Sequence, residues 1–258
     1  MEPNIHPSAI VESSAEIDSD VIIGAYAYIG SNVKISAGTK VMHHATVDGR
    51  TELGENNEIH PYSYIGGKTH DLKYRDGIHS LKIGNDNIFR EFSTVHCATA
   101  EGLLTEIGNC NVILAYSHIA HECKVGDNLI MSSHSALGGH VHLGNHVNIG
   151  WGVGIHQFCR LGDYSMAAAT ATILQDIPPF FIASGNPAKV RGINKIGLQR
   201  ASFSESSISA VRKAYKALYK KGFNRSQALD SMEAESLLEY NEVKDLIAFI
   251  RASDRGIA

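Results

Sequence analysis

The chain has 258 residues, of which 43% are hydrophobic and 19% charged, with a formal net charge of -4. That composition suits a globular protein with a sizeable core and excludes a disordered chain, while so small a net charge names no partner. No charged-then-apolar leader is present and no apolar run approaches the roughly 20 residues needed to span a bilayer, so a cytoplasmic protein is expected. The four cysteines, Cys97, Cys110, Cys123 and Cys159, form no C-x-x-C pair. A zinc ribbon and a redox motif are therefore not indicated, and reduced, half-buried thiols are expected.

From Ile5 to Ile173 the chain repeats every six residues. Of the 29 positions in that phase, 26 are apolar, where a 43% hydrophobic content gives about 12 by chance; the exceptions are Asp71, Gly77 and Glu101. Eleven of the apolar positions are followed by glycine, among them Gly54, Gly66 and Gly108. A period of six fits neither an amphipathic helix nor alternating antiparallel strands. It fits a β-solenoid whose coil has three short faces, each with one inward aliphatic residue. Glycine after that residue suits a corner or a tight approach. The pattern resembles the hexapeptide-repeat family, and the resemblance implies an all-β, left-handed parallel β-helix with 18 residues per coil. Polar residues in phase mark excursions near residues 67–82 and 97–106, and loops on a rigid scaffold are where function concentrates. The prism is expected over residues 1–185.

Beyond Ile173 the repeat fades through "QDIPPFFIASGNPAKVRG", whose three prolines are expected to end regular pairing. Ser204 then reads as an N-cap, followed by an apolar face at Ile208, Val211, Tyr215, Leu218 and Tyr219, with Gly222 past the helix end. Two further helical stretches follow around residues 227–238 and 242–252. A small α-helical domain is expected over residues 186–258.

Any one of the 14 histidines alone reads as a turn or surface residue. The coil changes that reading, because residues 18 apart stack at about 4.8 Å. His121, Gly139 and Gln157 fall in one column, Ala120, Gly138 and His156 in the next, and Glu122, His140 and Phe158 in a third, with His118 on the same coil. Gly139 has no side chain, so its backbone N–H can point outward beside the His121 imidazole. A base next to an N–H donor is what acyl transfer requires.

The segments "DLKY", "AYSHIAHEC", "LGGHVHLG", "IHQFCRLGDYSM", "DIPPF" and "GNPA", with "RKAYKALY" and "SDRG" in the tail, resemble the UDP-N-acetylglucosamine 3-O-acyltransferase family over essentially the whole chain. The resemblance implies a homotrimer with sites in clefts between prisms and no cofactor. Acyl carrier protein would be the donor, and UDP-N-acetylglucosamine or its 3-amino analogue the acceptor. It makes His121 the general base and Gly139 the oxyanion donor, with Glu122 beside the base. Asp71 and Lys73 would hold the sugar, and His118, His140, His156 and Gln157 would line the cleft. Asn194 and Arg200 would help bind the nucleotide, and Ala169 would stop the acyl chain. This sequence departs from the family in three places. Glu122 replaces the usual aspartate, with an extra methylene expected to loosen the imidazole, and Ile196 and Ala201 stand where the family has a glutamate and a second arginine.

Residues 189–225 hold ten Lys or Arg against one acid, Glu205. With no nucleic-acid module in sight, an acidic protein is the expected partner, and Lys213, Lys216 and Lys220 are the expected docking residues for acyl carrier protein. Rival readings are a metal enzyme with His118, His121 and His140 as ligands, a structural solenoid, and the related family that N-acylates a later sugar. The solenoid predicts regular outward ladders rather than one histidine-rich ridge. The later N-acyltransferases carry an extra N-terminal domain, for which hexads beginning at Ile5 leave no room. No metal is expected.

Overall fold

The structure, a computed structural model, describes residues 3–72, 74, 77, 79–234 and 236–258. Two-residue strands recur at the hexad period, and the second residue of each is the in-phase aliphatic one: Ile22–Ile23, Tyr28–Ile29, Lys34–Ile35 and onward. They stack in parallel into a first face that begins at Asn4–Ile5, a second that begins at Ile10–Val11 and a third that begins at Glu16–Ile17. The result is the three-faced parallel β-helix that the period implied, with the left hand that the family resemblance implied.

The in-phase side chains fill the prism axis, with Ile29, Ile59, Phe89 and Ile113 fully buried. Burying each such side chain contributes roughly 1.5–3 kcal/mol. The first coil is the exception: Ile5, in the edge strand of its face among the described residues, is 39% exposed. Glycine after the aliphatic residue is explained by close approach, and by backbone sign as well at Gly66, where φ is +82. A Cβ on Gly108 would lie 2.7 Å from the carbonyl oxygen of Gly126 in the next coil. Positive φ is also carried by non-glycine corner residues, including Tyr62, Phe92, Glu122, His140 and Phe158.

Both excursions are shorter than expected. Strands Ser80–Ile83 and Leu104–Ile107 pair over four residues, Ser80 with Leu104 through Ile83 with Ile107, which returns residues 80–82 and 104–106 to the prism. The proline-rich segment also pairs further than expected. Phe181–Gly185 continues the first face beside Met166–Ala167 and then turns back as an antiparallel hairpin with Ala188–Ile193.

Among the described residues four α-helices follow, α1 (Lys195–Arg200), α2 (Glu205–Tyr219), α3 (Arg225–Ala234) and α4 (Asn241–Arg251), with a 3-10 turn at Leu237–Glu239 before the last. Ser204 caps α2 as expected, its hydroxyl accepting from Ser207 N at 3.0 Å. Ile208, Val211, Leu246 and Ile250 form a second core that takes in Phe180 and Phe181 from the end of the prism. The tail returns to the prism, where Ala258 N donates to the carbonyl of Asp176 at 3.0 Å. Among the described residues no helix is long and apolar enough to cross a membrane.

Candidate active site

The corner between the second and third faces carries the histidine ridge. His118–Ile119 ends the second face and Lys124–Val125 opens the third, which leaves His121 and Glu122 on the turn between them. Glu122 adopts φ +52 and is only 6% exposed, with its carboxylate turned inward. Its Oε1 accepts from Thr99 N at 2.5 Å and Thr99 Oγ1 at 2.6 Å, and its own N–H donates to Thr105 Oγ1 at 2.8 Å. Burial alone would raise this carboxyl, but the bonds from Thr99 and His121 outweigh it and hold the pKa below the ordinary value.

An ionised carboxylate only accepts, so the His121 Nδ1 that meets Glu122 Oε2 carries the proton. Nε2 faces Asp71 Oδ2 at 3.7 Å, and in the neutral ring it carries the lone pair. Gly139 sits one coil above, and a Cβ there would fall on the His121 ring. Among the described residues the Gly139 N–H donates to no acceptor. A positioned base and an unused donor therefore share one turn.

Neutral imidazoles surround this pair. His118 receives a hydrogen bond on Nδ1 from Thr94 Oγ1, or donates one to it, at 2.8 Å. Its pKa is pushed down to about 4, first by burial and then by His70 and His121. His96 is held at about 4 by burial and then by His118, His70 and His121, and its ring meets those of His70 at 4.3 Å and His118 at 4.6 Å. His140 stacks on Phe158 at 4.6 Å and stands edge-on to His121 at 5.4 Å. Ligand atoms of His121, Glu122 and His140 lie within 4.8 Å of one another. Within that group Glu122 Oε1 accepts from Thr99 and Oε2 meets His121 Nδ1, while His118, whose Nδ1 faces Thr94, lies outside it.

Residues 176–258 match the family model described as Udp N-acetylglucosamine O-acyltransferase; Domain 2. The acyl-(acyl-carrier-protein)-UDP-N-acetylglucosamine O-acyltransferase of Thermodesulfovibrio yellowstonii is 43% identical, over 98% of each chain. That of Burkholderia orbicola is 45% identical over the same shares. The UDP-N-acetylglucosamine acyltransferase structure from Bacteroides fragilis superposes with a TM-score of 0.95 at 34% identity, over 98% of this chain and 99% of that one. The chain belongs to the UDP-N-acetylglucosamine O-acyltransferase family.

The acyltransferase pattern is met unevenly. His118, His121, Glu122, Gly139 and His140 meet at one corner, and Asp71 reaches them from the first excursion. Lys73 lies outside the described residues. His156 and Gln157 occupy the same corner one coil further on but stand exposed. Asn194 caps α1, where its Oδ1 accepts from Gly197 N at 3.2 Å and its Nδ2 donates to Tyr164 O at 2.8 Å. Arg200 ends that helix, exposed. The longer carboxylate of Glu122 is not loose, because Thr99 pins it with two donors. Thr99, His70 and His96 escaped the sequence reading because they lie in or beside the excursions, off the 18-residue columns.

Proposed function

We propose that this chain transfers a 3-hydroxyacyl group from acyl carrier protein to the 3-position of UDP-N-acetylglucosamine, the first step of lipid A biosynthesis. The observation that carries this reading is an imidazole tied through Nδ1 to a buried carboxylate, with Nε2 open, directly beneath an unused glycine N–H. His121 Nε2 takes the proton of the sugar hydroxyl as the oxygen attacks the thioester carbonyl. The Gly139 N–H then stabilises the oxyanion. Collapse breaks the carbon–sulfur bond, and the imidazolium returns its proton to the leaving thiolate. Glu122 holds the tautomer throughout. In this reading Asp71 and Lys73 grip the sugar, His118, His140, His156 and Gln157 line the cleft, and Asn194 and Arg200 serve the nucleotide. The reaction as written needs no cofactor. A cytoplasmic location belongs to the same proposal, since both substrates are soluble cytoplasmic species. Incubation with a panel of carrier-protein thioesters and either UDP-N-acetylglucosamine or its 3-amino analogue, with products weighed by mass spectrometry, tests it. An ester of the hydroxyl sugar is expected. Product from the amino sugar alone would reassign the acceptor, and no product from either would end the proposal.

A homotrimer is part of the same reading. Along the corner between the first and second faces an exposed ring ladder joins Tyr26, His44, Tyr62, Phe92 and Tyr116 at centroid spacings of 4.9–5.1 Å. It continues through His134 to Trp151, which is 55% exposed. The third face instead carries ion pairs such as Lys34 with Glu16 at 3.0 Å. An exposed aromatic line of this length fits burial against a second copy. Ala169 stands exposed on the ladder corner, not on the His121 corner. If Ala169 stops the acyl chain, it does so for the base of another subunit. Ala169→Met should shift donor preference to a shorter chain. Each CH2 is worth about 0.8 kcal/mol, so two carbons amount to more than about tenfold. A thioester panel run alongside sedimentation checks this: unchanged preference in an intact trimer refutes the ruler.

Lys213, Lys216 and Lys220 are exposed on one side of α2 and just past its end. Changing all three to Glu should raise KM for acyl carrier protein and flatten its salt dependence, since exposed charges are screened within about 8 Å at physiological ionic strength. Kinetics at low salt identical to those of the native protein would remove this face as the docking surface.

A further inference from the structure

On the third face, one strand step from the catalytic corner, Lys124, His142 and Arg160 stand directly above one another in parallel register. Like charges opposite each other across strands destabilise a sheet. Burial, then Lys124, then Arg160 hold down the pKa of His142, with Asp176 opposing more weakly. The nearby acids are largely committed. Glu106 lies 3.8 Å from Lys124 at the head of the column. Asp176 is buried, accepting from Arg160 N at 2.8 Å and Ser253 Oγ at 2.7 Å. The guanidinium of Arg160 bonds the Ala252 carbonyl at 2.9 Å and lies over Phe249, and that of Arg255 reaches the Leu174 carbonyl at 3.3–3.4 Å and the Cys159 thiol. Among the described residues neither guanidinium has a carboxylate partner. Beside them opens a cavity of about 650 Å³ whose wall runs from His140 and Phe158, in the catalytic column, to Arg160 and Arg255, and also includes Asp176 and Asp254.

We propose that this cavity receives the phosphodiester of the acyl donor, the group joining a carrier protein to its thioester arm, with Arg160 and His142 of its wall as direct partners and Lys124, one coil beyond that wall, adding positive charge at longer range. The assignment rests on the acyl-transfer reading above. A guanidinium offers a planar fork of donors to two phosphate oxygens, which a carbonyl partner leaves only partly used. Arg160 stands two coils, roughly 10 Å, along the axis from the coil of His121, a span that an extended prosthetic arm bridges while its thioester rests at the base. The diphosphate of the acceptor has a separate proposed partner in Arg200.

Three variants of the full-length chain test this: His142→Gln, Lys124→Gln and the pair His142→Gln with Arg160→Gln. The singles alter exposed side chains, so they report even if loss of the Arg160 to Ala252 bond weakens the paired variant. The paired variant should raise KM for the carrier-protein thioester about tenfold or more, the scale of hydrogen bonds to a charged group, and leave KM for UDP-N-acetylglucosamine unchanged. Each single variant should raise it severalfold. In calorimetry the native protein should bind 4'-phosphopantetheine more tightly than pantetheine, and the variants should lose that difference. A rise confined to UDP-N-acetylglucosamine overturns the assignment, as does no rise for either substrate or equal binding of the two pantetheines. A native protein that binds phosphopantetheine in this way but turns nothing over would instead sink the acyl-transfer reading.

Discussion

His121→Ala should lower kcat by about 100-fold or more while leaving the affinity for UDP-N-acetylglucosamine near that of the native protein. A 100-fold loss is about 2.7 kcal/mol of transition-state stabilisation, the part supplied by a base that moves a proton only as the carbonyl is attacked. Ground-state binding does not require that proton transfer, so the loss falls on kcat. The fold should tolerate the change. Glu122 Oε1 keeps both donors from Thr99 and its N–H keeps Thr105 Oγ1; Oε2 loses the bond from His121 and is left facing His140 Nε2 at 3.8 Å, so only a partial loss of stability is expected. Single-turnover assays with calorimetry of the sugar nucleotide separate the two quantities. A variant that retains native turnover would remove His121 from the chemistry, and one that loses sugar binding in proportion would make it a binding residue.

The prism was legible because each hexad leaves one aliphatic residue on the axis, and that signal survives both excursions. Tyr64 pairs with Thr94 and Thr94 with His118, separations of 30 and 24 residues, against 18 from His118 to Ala136. The insertions are therefore 12 and 6 residues, whole hexads, so the phase runs on through Asp71, Gly77 and Glu101 although those residues have left the prism. Phase could not reveal where the loops rejoin the sheet, which is why the expected excursions overran strands Ser80–Ile83 and Leu104–Ile107. The column of Glu122, His140 and Phe158 was legible because those residues lie beyond the last insertion, at strict 18-residue spacing. Thr99 was not, because its bonds to Glu122 depend on how residues 97–103 fold back over the corner, and no period encodes that.

Gly139→Ala is a harsher test of the same site than its single added carbon suggests. The backbone φ of Gly139 lies outside the left-handed region, so alanine meets no conformational penalty, and the N–H proposed as the oxyanion donor remains in place. What changes is the space one coil below. The new Cβ would overlap the His121 ring at Cε1 and Nε2, the edge that has to face the acceptor hydroxyl. The ring cannot simply swing aside, because its Nδ1 is held by Glu122, which Thr99 fixes in turn. Either the imidazole tilts and loses the line to the hydroxyl, or the bond to Glu122 breaks and the tautomer is no longer set. Misplacing a reacting group by about 1 Å costs about 100-fold, so kcat should fall by that order while the thermal midpoint stays within a few degrees of the native value. The companion variant Gly138→Ala separates geometry from mere crowding. There a Cβ would press 2.8 Å from the Gln157 backbone N, against the next coil rather than the base, so it should lower stability more than it lowers turnover in the molecules that remain folded. Native-like kcat in Gly139→Ala would mean that His121 works from some position other than the one beneath this glycine.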